Sequence, residues 1–466
     1  MGDRGGEEGL RLHARKGALQ VRIRRDRRSE LVRRRLSPPA GDDGRQAPIG
    51  SGRERRAEAR AEGSERASAD ESKRRLVLIR PAEAPRGHGR SRSDRRLRLA
   101  APPDPRDTPG VTPAMRFHDY LDRLGSSWYL YANASNAFKD FLVWLAASSN
   151  QDQPAILMPS YIPAKLYRAA LAAGYAVRFY EVHGDCRFDL DEVERQLGTQ
   201  TLAVFFVHYF GFTSDIEGMS ALARRRGVVL IEDCALAVDA RHRGRELGTY
   251  GDVALFSMRK MFLYPEGGAL VVSDRFRDFR PSYERRVSSC YSFPRYLLQR
   301  AKYAYVRLTG GADPLGLVRA GPAGYMDGNT QQRLSVKMLS PFTERRLKHV
   351  DLERVVQRRR DNYRYVLERF PLSTAVEPMH RALPDGCTPY SFPVLVRRGD
   401  RDALRRALVR EGTVAGVGWP ESPFDPALAR TRLLSQTLLE LPIHQALTRK
   451  QLDRSLRCVA RSVRSA

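Results

Sequence analysis

Residues 202–234, LAVFFVHYFGFTSDIEGMSALARRRGVVLIEDC, decide the fold of this chain. The run 202–207 (LAVFFV) is continuously apolar, short, and rich in β-branched and aromatic residues, so it reads as a buried strand. Residues 215–226 space their apolar positions for a helix, and 228–231 (VVLI) form a second buried run. Strands that are apolar throughout need cover on both faces. Strand, helix and strand in succession therefore imply parallel pairing with helices on either side.

The same alternation extends outward. Strands are expected at 155–158, 176–182, 253–257 and 269–273. Helices are expected at 136–147, 164–173 and 190–197, the last opened by Asp189. The pattern turns irregular and basic around 277–326, and 343–370 reads as one long helix. A final unit has a strand at 392–396 and helices at 402–410 and 449–463. The fold class is α/β: a mainly parallel sheet flanked by helices over 115–325, with a smaller C-terminal α+β domain over 326–466. No internal repeat is evident.

Composition divides the 466 residues differently. Every Phe, Tyr and Trp (18, 19 and 3) lies after Met115. Residues 1–114 hold 29 Lys+Arg and 17 Asp+Glu, with Pro, Gly and Ser making up much of the rest. Such a segment buries too little apolar surface to offset its chain entropy and reads as a disordered tail. Within it only 75–80 (RLVLIR) resembles a strand. Met115, which opens the compositionally ordinary stretch, is an alternative start.

The net charge of +27 raises nucleic-acid binding. Against it, Arg outnumbers Lys 72 to 9 across the whole chain, a skew that coding bias explains, and the tail has no aromatic residue on which a base could stack. Nothing approaches the ~20 apolar residues of a membrane span. The first thirty residues lack the apolar core of a secretory signal. Five cysteines without paired spacing fit a reducing cytosol, and no metal-ligand spacing occurs among the nine histidines.

In sheets of this kind ligands sit beyond the carboxyl ends of the strands. The strand at 228–231 runs into Glu232-Asp233, placing a carboxylate where it needs a cationic partner; a helix cap or structural ion pair is the alternative. The strand at 253–257 leads into Met258-Arg259-Lys260, ahead of Glu266-Gly267-Gly268. In a chain with so few lysines, Lys260 is a candidate for amine chemistry, or else an ordinary surface lysine. Asn133-Ala134-Ser135-Asn136 precedes the first helix of the sheet domain. Its backbone amides and the Ser135 hydroxyl suit a phosphate, or form a plain N-cap. His208, at a strand end, either touches a bound molecule or is a satisfied core histidine, and His444 reads as structural. Together the three sites supply what pyridoxal 5′-phosphate needs: a phosphate cradle, an acid for the pyridine nitrogen, and an amine for the aldehyde.

The ordered set His208-Tyr209-Phe210-Gly211, Ile231-Glu232-Asp233-Cys234-Ala235, Phe256-Ser257 with Lys260, Glu266-Gly267-Gly268 and Leu441-Pro442-Ile443-His444-Gln445 resembles the DegT/DnrJ/StrS sugar aminotransferases. These are fold-type I pyridoxal-phosphate enzymes. The resemblance implies that Lys260 is the Schiff-base lysine and Asp233 the pyridinium partner. It also implies that Ser135, Asn136 and Ser257 serve the phosphate and that Tyr161 stacks on the ring. It further implies an amino-acid donor (usually L-glutamate), a nucleotide-linked ketosugar acceptor, a homodimer, and a role in cell-surface polysaccharide or secondary-metabolite synthesis. Three features depart from the family pattern. Leu236 stands three residues after the aspartate, where Gln or His is common. Only two residues separate Ser257 from Lys260. The motif that reaches the neighbouring subunit is unclear, Asn329 or Arg333 being nearest.

Overall fold

The computed structural model describes residues 115–464 except 126, 150, 309–334 and 423. The arginine-rich tail with its candidate strand, and Asn329 and Arg333, lie outside them. Nine strands make the main sheet. Their spatial order is Arg285–Arg286 (β10), Lys337–Met338 (β11), Ser127–Tyr131 (β1), Gly268–Val272 (β9), Val253–Phe256 (β8), Val229–Asp233 (β5), Thr201–Val207 (β4), Ala155–Pro159 (β2) and Ala176–Tyr180 (β3). From β3 through β8 every pairing is parallel, as the buried apolar runs require. Strand β9 runs antiparallel to both β8 and β1, and Arg241–His242 (β6) pairs with Arg245–Glu246 (β7) in a separate two-stranded sheet.

Helix Ala134–Ser148 buries Ala137, Phe138, Phe141, Leu142 and Leu145, positions that recur on one helical face. Phe138 meets Phe205 of β4 edge-on, with ring centroids 4.9 Å apart. Truncating such a ring to Ala costs about 3–5 kcal/mol. Asp189 and Asp215 cap the helices Leu190–Gln196 and Ile216–Arg226, each carboxylate accepting first-turn backbone N–H groups.

A second sheet is antiparallel, with Val376–Pro378 (β12), Ser391–Val396 (β13) and Leu438–Pro442 (β14) in that order. Among the helices around it are Leu352–Glu368, Arg401–Arg410 and Arg449–Arg464.

Two expectations are corrected. The stretch expected to be irregular contains the helix Ser289–Leu308, whose pattern is masked by an internal Pro294 and by its exposure. The single helix expected at 343–370 is two, Pro341–Leu347 and Leu352–Glu368. Asp351 caps the second by accepting the Arg354 N–H at 2.9 Å, so the chain restarts a helix where periodicity alone shows no break.

Candidate active site

The sheet register gathers the site. In β5, Asp233 is the last residue, paired with Val207 of β4 on one side and Leu255 of β8 on the other. His208, Asp233 and Ser257 therefore leave three adjacent parallel strands at the same edge. Asp233 is buried, and its Oδ1 accepts the Ala235 N–H at 2.9 Å. Burial pushes its carboxyl up from the ordinary value, while the charge of Lys260 and the Ala235 N–H pull the other way.

Lys260 lies on the short helix Met258–Met261 that follows β8. Burial pushes its amine down, and Asp233 is the leading charge that opposes this. Each group thus feels the other, yet among the described residues no ion pair within 4.0 Å joins them. Ser257 occupies the N-cap position of that helix without making a side-chain cap bond, which leaves its hydroxyl for another partner.

The Gly-Gly turn locks these pieces together. Gly267 has φ +127°, accepts the Met258 N–H at 3.1 Å and donates to the Ala132 carbonyl at 2.7 Å. Gly268 abuts Asn133 and Ala134, at the N-terminus of helix Ala134–Ser148. There Asn133 caps by accepting the Asn136 N–H at 3.0 Å, and the Ser135 hydroxyl donates to Asn133 Oδ1 at 3.1 Å. The Asn136 side-chain oxygen accepts from Asn133 Nδ2 at 2.8 Å. The stretch is a good N-cap, and it packs against the Gly-Gly turn that follows the lysine helix. Glu266 is committed elsewhere, its Oε1 accepting hydrogen bonds from Ser292 at 2.7 Å and Thr343 at 3.0 Å.

Tyr161 is fully buried, its ring 5.8 Å from Tyr209 and 4.9 Å from Trp419, centroid to centroid. His208 is resolved in favour of the satisfied core histidine. Its Nδ1 lies 3.0 Å from Thr213 Oγ1 and its Nε2 2.9 Å from Glu232 Oε2, so neither ring nitrogen is left to bind a cofactor. Glu232 is itself fully buried and also accepts the N–H groups of Gly248 at 2.9 Å and Gly251 at 2.6 Å. With Cys234, these two residues place candidate ligand atoms within 4.8 Å of one another. The hydrogen bonds already made by Glu232 and His208 identify a structural knot under Asp233. Leu236 is buried in the turn after the strand. His444 accepts the Ala446 N–H at 3.1 Å, and burial holds its imidazole well below the ordinary value.

Sequence reading missed the contribution of the smaller sheet. Glu440 of β14 accepts the Ser391 hydroxyl at 2.6 Å. Gln445 Nε2 donates to the Met261 carbonyl at 2.8 Å, tying the end of that sheet to the lysine helix. The only sequence signal was proximity, since Glu440 immediately precedes the Leu441–Gln445 motif. Two cavities of about 420 Å³ lie elsewhere. One is lined by Thr201, Arg226 and Val229 at the amino ends of the strands, the other by Asp239, Arg241, Glu353 and Arg360. Among the described residues, no helix is long and apolar enough to cross a membrane.

Comparison with known proteins places this geometry. Residues 131–278 match the DegT/DnrJ/EryC1/StrS aminotransferase family. An L-glutamine:2-deoxy-scyllo-inosose aminotransferase of Streptoalloteichus tenebrarius is 40% identical over 101 residues, 21% of this chain and 24% of that protein. A GDP-perosamine synthase of Vibrio cholerae is 31% identical over 119 residues, 25% of this chain and 32% of that protein. The chain thus spans only about a quarter to a third of the length of these relatives. The crystal structure of the aminotransferase TlmJ from Streptoalloteichus hindustanus superposes with a TM-score of 0.55 at 22% identity. That match covers 74% of this chain and 89% of the other, and it shows a shared fold. The matched stretch 131–278 carries the strand-end aspartate, the lysine and the Gly-Gly turn.

Proposed function

We propose that this protein is a pyridoxal 5′-phosphate-dependent aminotransferase that moves an amino group from an amino acid, L-glutamate being the expected donor, to a nucleotide-linked ketosugar. The observation that carries this reading is the placement of Asp233 at the end of β5 and of Lys260 on the short helix that follows the neighbouring parallel strand β8. The surrounding residues fit the cofactor. The first turn of helix Ala134–Ser148, with Ser135 and Asn136, and the uncommitted Ser257 hydroxyl supply donors for a phosphate. Asp233 supplies the carboxylate for a protonated pyridine nitrogen, and Tyr161 presents an aromatic wall. When bound, the cofactor supplies an electron sink that lets a proton leave the carbon bearing the amine.

The protein's own groups carry the remaining roles. Asp233, desolvated in the sheet edge, would keep the ring nitrogen protonated. Lys260 would hold the cofactor through its aldehyde, and its free Nζ would carry the proton. Desolvation favours that base role, because a buried amine gives up its proton more readily. His208 and Glu232 fix the strand ends beneath. A homodimer in the cytoplasm, serving polysaccharide or secondary-metabolite synthesis, completes the proposal. The second reading, a family member that binds the cofactor without transaminating, is favoured by one observation: Leu236 offers no hydrogen bond where the family commonly has Gln or His.

Borohydride reduction of the purified holoprotein, followed by peptide mapping, tests the assignment. The label is expected on Lys260, with aminated product formed from ketosugar plus glutamate. Labelling of another lysine sinks the cofactor site. Label on Lys260 with no product from any ketosugar selects the non-transaminating reading.

A further inference from the structure

Four of the nine large apolar side chains exposed among the described residues fall within eight positions of one helix. Tyr291, Phe293, Leu297 and Leu298 of Ser289–Leu308 are each 48–59% exposed, and Ala301 and Ala304 continue the same open face. The opposite face holds the helix to the domain. Ser292 is fully buried, and its hydroxyl donates to Glu266 Oε1 at 2.7 Å, just ahead of the Gly-Gly turn. The Tyr296 hydroxyl accepts from Arg346 at 2.9 Å, and its ring lies 5.3 Å from that of Phe342. Phe293 stands at the boundary, meeting Phe342 edge-on at 5.5 Å.

Charge decides what the open face suits. The helix carries Arg295, Arg300, Lys302 and Arg307 and no Asp or Glu; the nearest acidic residues along the chain are Glu284 and Asp313. At ~100° per residue, Arg295 and Lys302 fall on one border of the apolar arc and Arg300 on the other. The Arg295 guanidinium lies 3.6 Å over the Tyr291 ring. An apolar strip edged by cations matches a bilayer surface, with the strip among the acyl chains and the cations at head-group phosphates. Such a helix lies in the membrane plane, and among the described residues none is long and apolar enough to cross.

We propose that helix Ser289–Leu308 is an interfacial anchor that seats this protein on an anionic phospholipid surface. A second copy of the chain fits the face less well, because a two-fold contact through it would set four cations against the same four. The arginine-rich tail fits it no better, with 29 Lys+Arg to 17 Asp+Glu.

The test is flotation of the full chain with vesicles of phosphatidylcholine and phosphatidylglycerol in equal parts, against vesicles of phosphatidylcholine alone. The wild type is expected to float with the mixed vesicles and to stay behind with the neutral ones. Leu297→Ser combined with Leu298→Ser removes apolar surface and leaves every charge in place, those of the tail included. Its apparent affinity for mixed vesicles should fall by about tenfold or more, with the circular dichroism spectrum and oligomeric state unchanged. A second readout needs no substitution. Cys290 is the one exposed cysteine of the five, and a polarity-sensitive dye attached there should shift to the blue on mixed vesicles. A wild type that does not float overturns the proposal. So does a double variant that binds like the wild type, or a dye that stays unshifted on bound protein, since either assigns the binding to another part of the chain. A double variant that loses self-association while its vesicle binding is unmoved gives the face to a second copy and overturns the anchor.

Discussion

Gly268 and Ala134 lie so close that a Cβ on the glycine would sit 2.3 Å from the Ala134 backbone nitrogen. The contact joins the start of β9 to the N-terminus of helix Ala134–Ser148, so one hydrogen-sized side chain sets the distance between the candidate phosphate cradle and the lysine turn. Gly268→Ala must push backbone away from backbone, which side-chain rotation cannot relieve. A loss of about 1–3 kcal/mol in chemical denaturation is expected. Pyridoxal phosphate affinity should fall at least tenfold, because the displaced end is the one that presents its amides. Unchanged affinity would remove that helix end from the binding site.

Lys260→Ala should abolish the borohydride-fixed label and nearly all turnover while leaving the circular dichroism spectrum intact. Asp233→Asn keeps the shape but removes the charge. It should weaken cofactor affinity and slow proton transfer by tenfold or more, since a neutral amide cannot stabilise a protonated ring nitrogen. Normal turnover in either variant would refute the assignment.

Glu232 holds His208 at 2.9 Å and two backbone N–H groups with no access to water. Glu232→Ala strands all three donors and opens a void beside the Asp233 strand end. A destabilisation of about 3–5 kcal/mol is expected, measured by urea unfolding. A cost under about 1 kcal/mol, the net worth of one ordinary hydrogen bond, would show that water replaces the carboxylate.

Asp239 gives stability a pH signature. Burial raises its carboxyl from 3.8 to about 6, outweighing Arg123 at 3.5 Å, and its backbone has φ +52°. A folded-state value above the unfolded one means that the native state binds the extra proton between those limits. Stability from this group is present below about pH 4 and is lost as pH rises through about 6. Asp239→Asn tolerates the left-handed backbone and removes the titration. Its unfolding free energy should vary less than that of the wild type between those pH values, by on the order of 1–3 kcal/mol. Parallel profiles would refute the assignment to Asp239.

The order of strands and helices from residue 134 to 273 was legible in the sequence because its determinants are local. Short apolar runs rich in β-branched and aromatic residues such as 202–207 read as buried strands, Asp189 and Asp215 cap the helices that follow them, and Gly267 supplies the positive φ of the turn into β9. Asp233 and Lys260 could be named because each follows such a run directly. Tertiary structure alone decided what surrounds them. The partners of His208 are Thr213 and Glu232, 5 and 24 residues away, and Glu440 meets Ser391 across 49 residues. These contacts arise from strand register and sheet docking, which no sequence window records. The break at Asp351 and the helix Ser289–Leu308 escaped notice for the complementary reason. Periodicity marks a face that will be buried, whereas a cap within a periodic stretch and a largely exposed helix leave little trace in it.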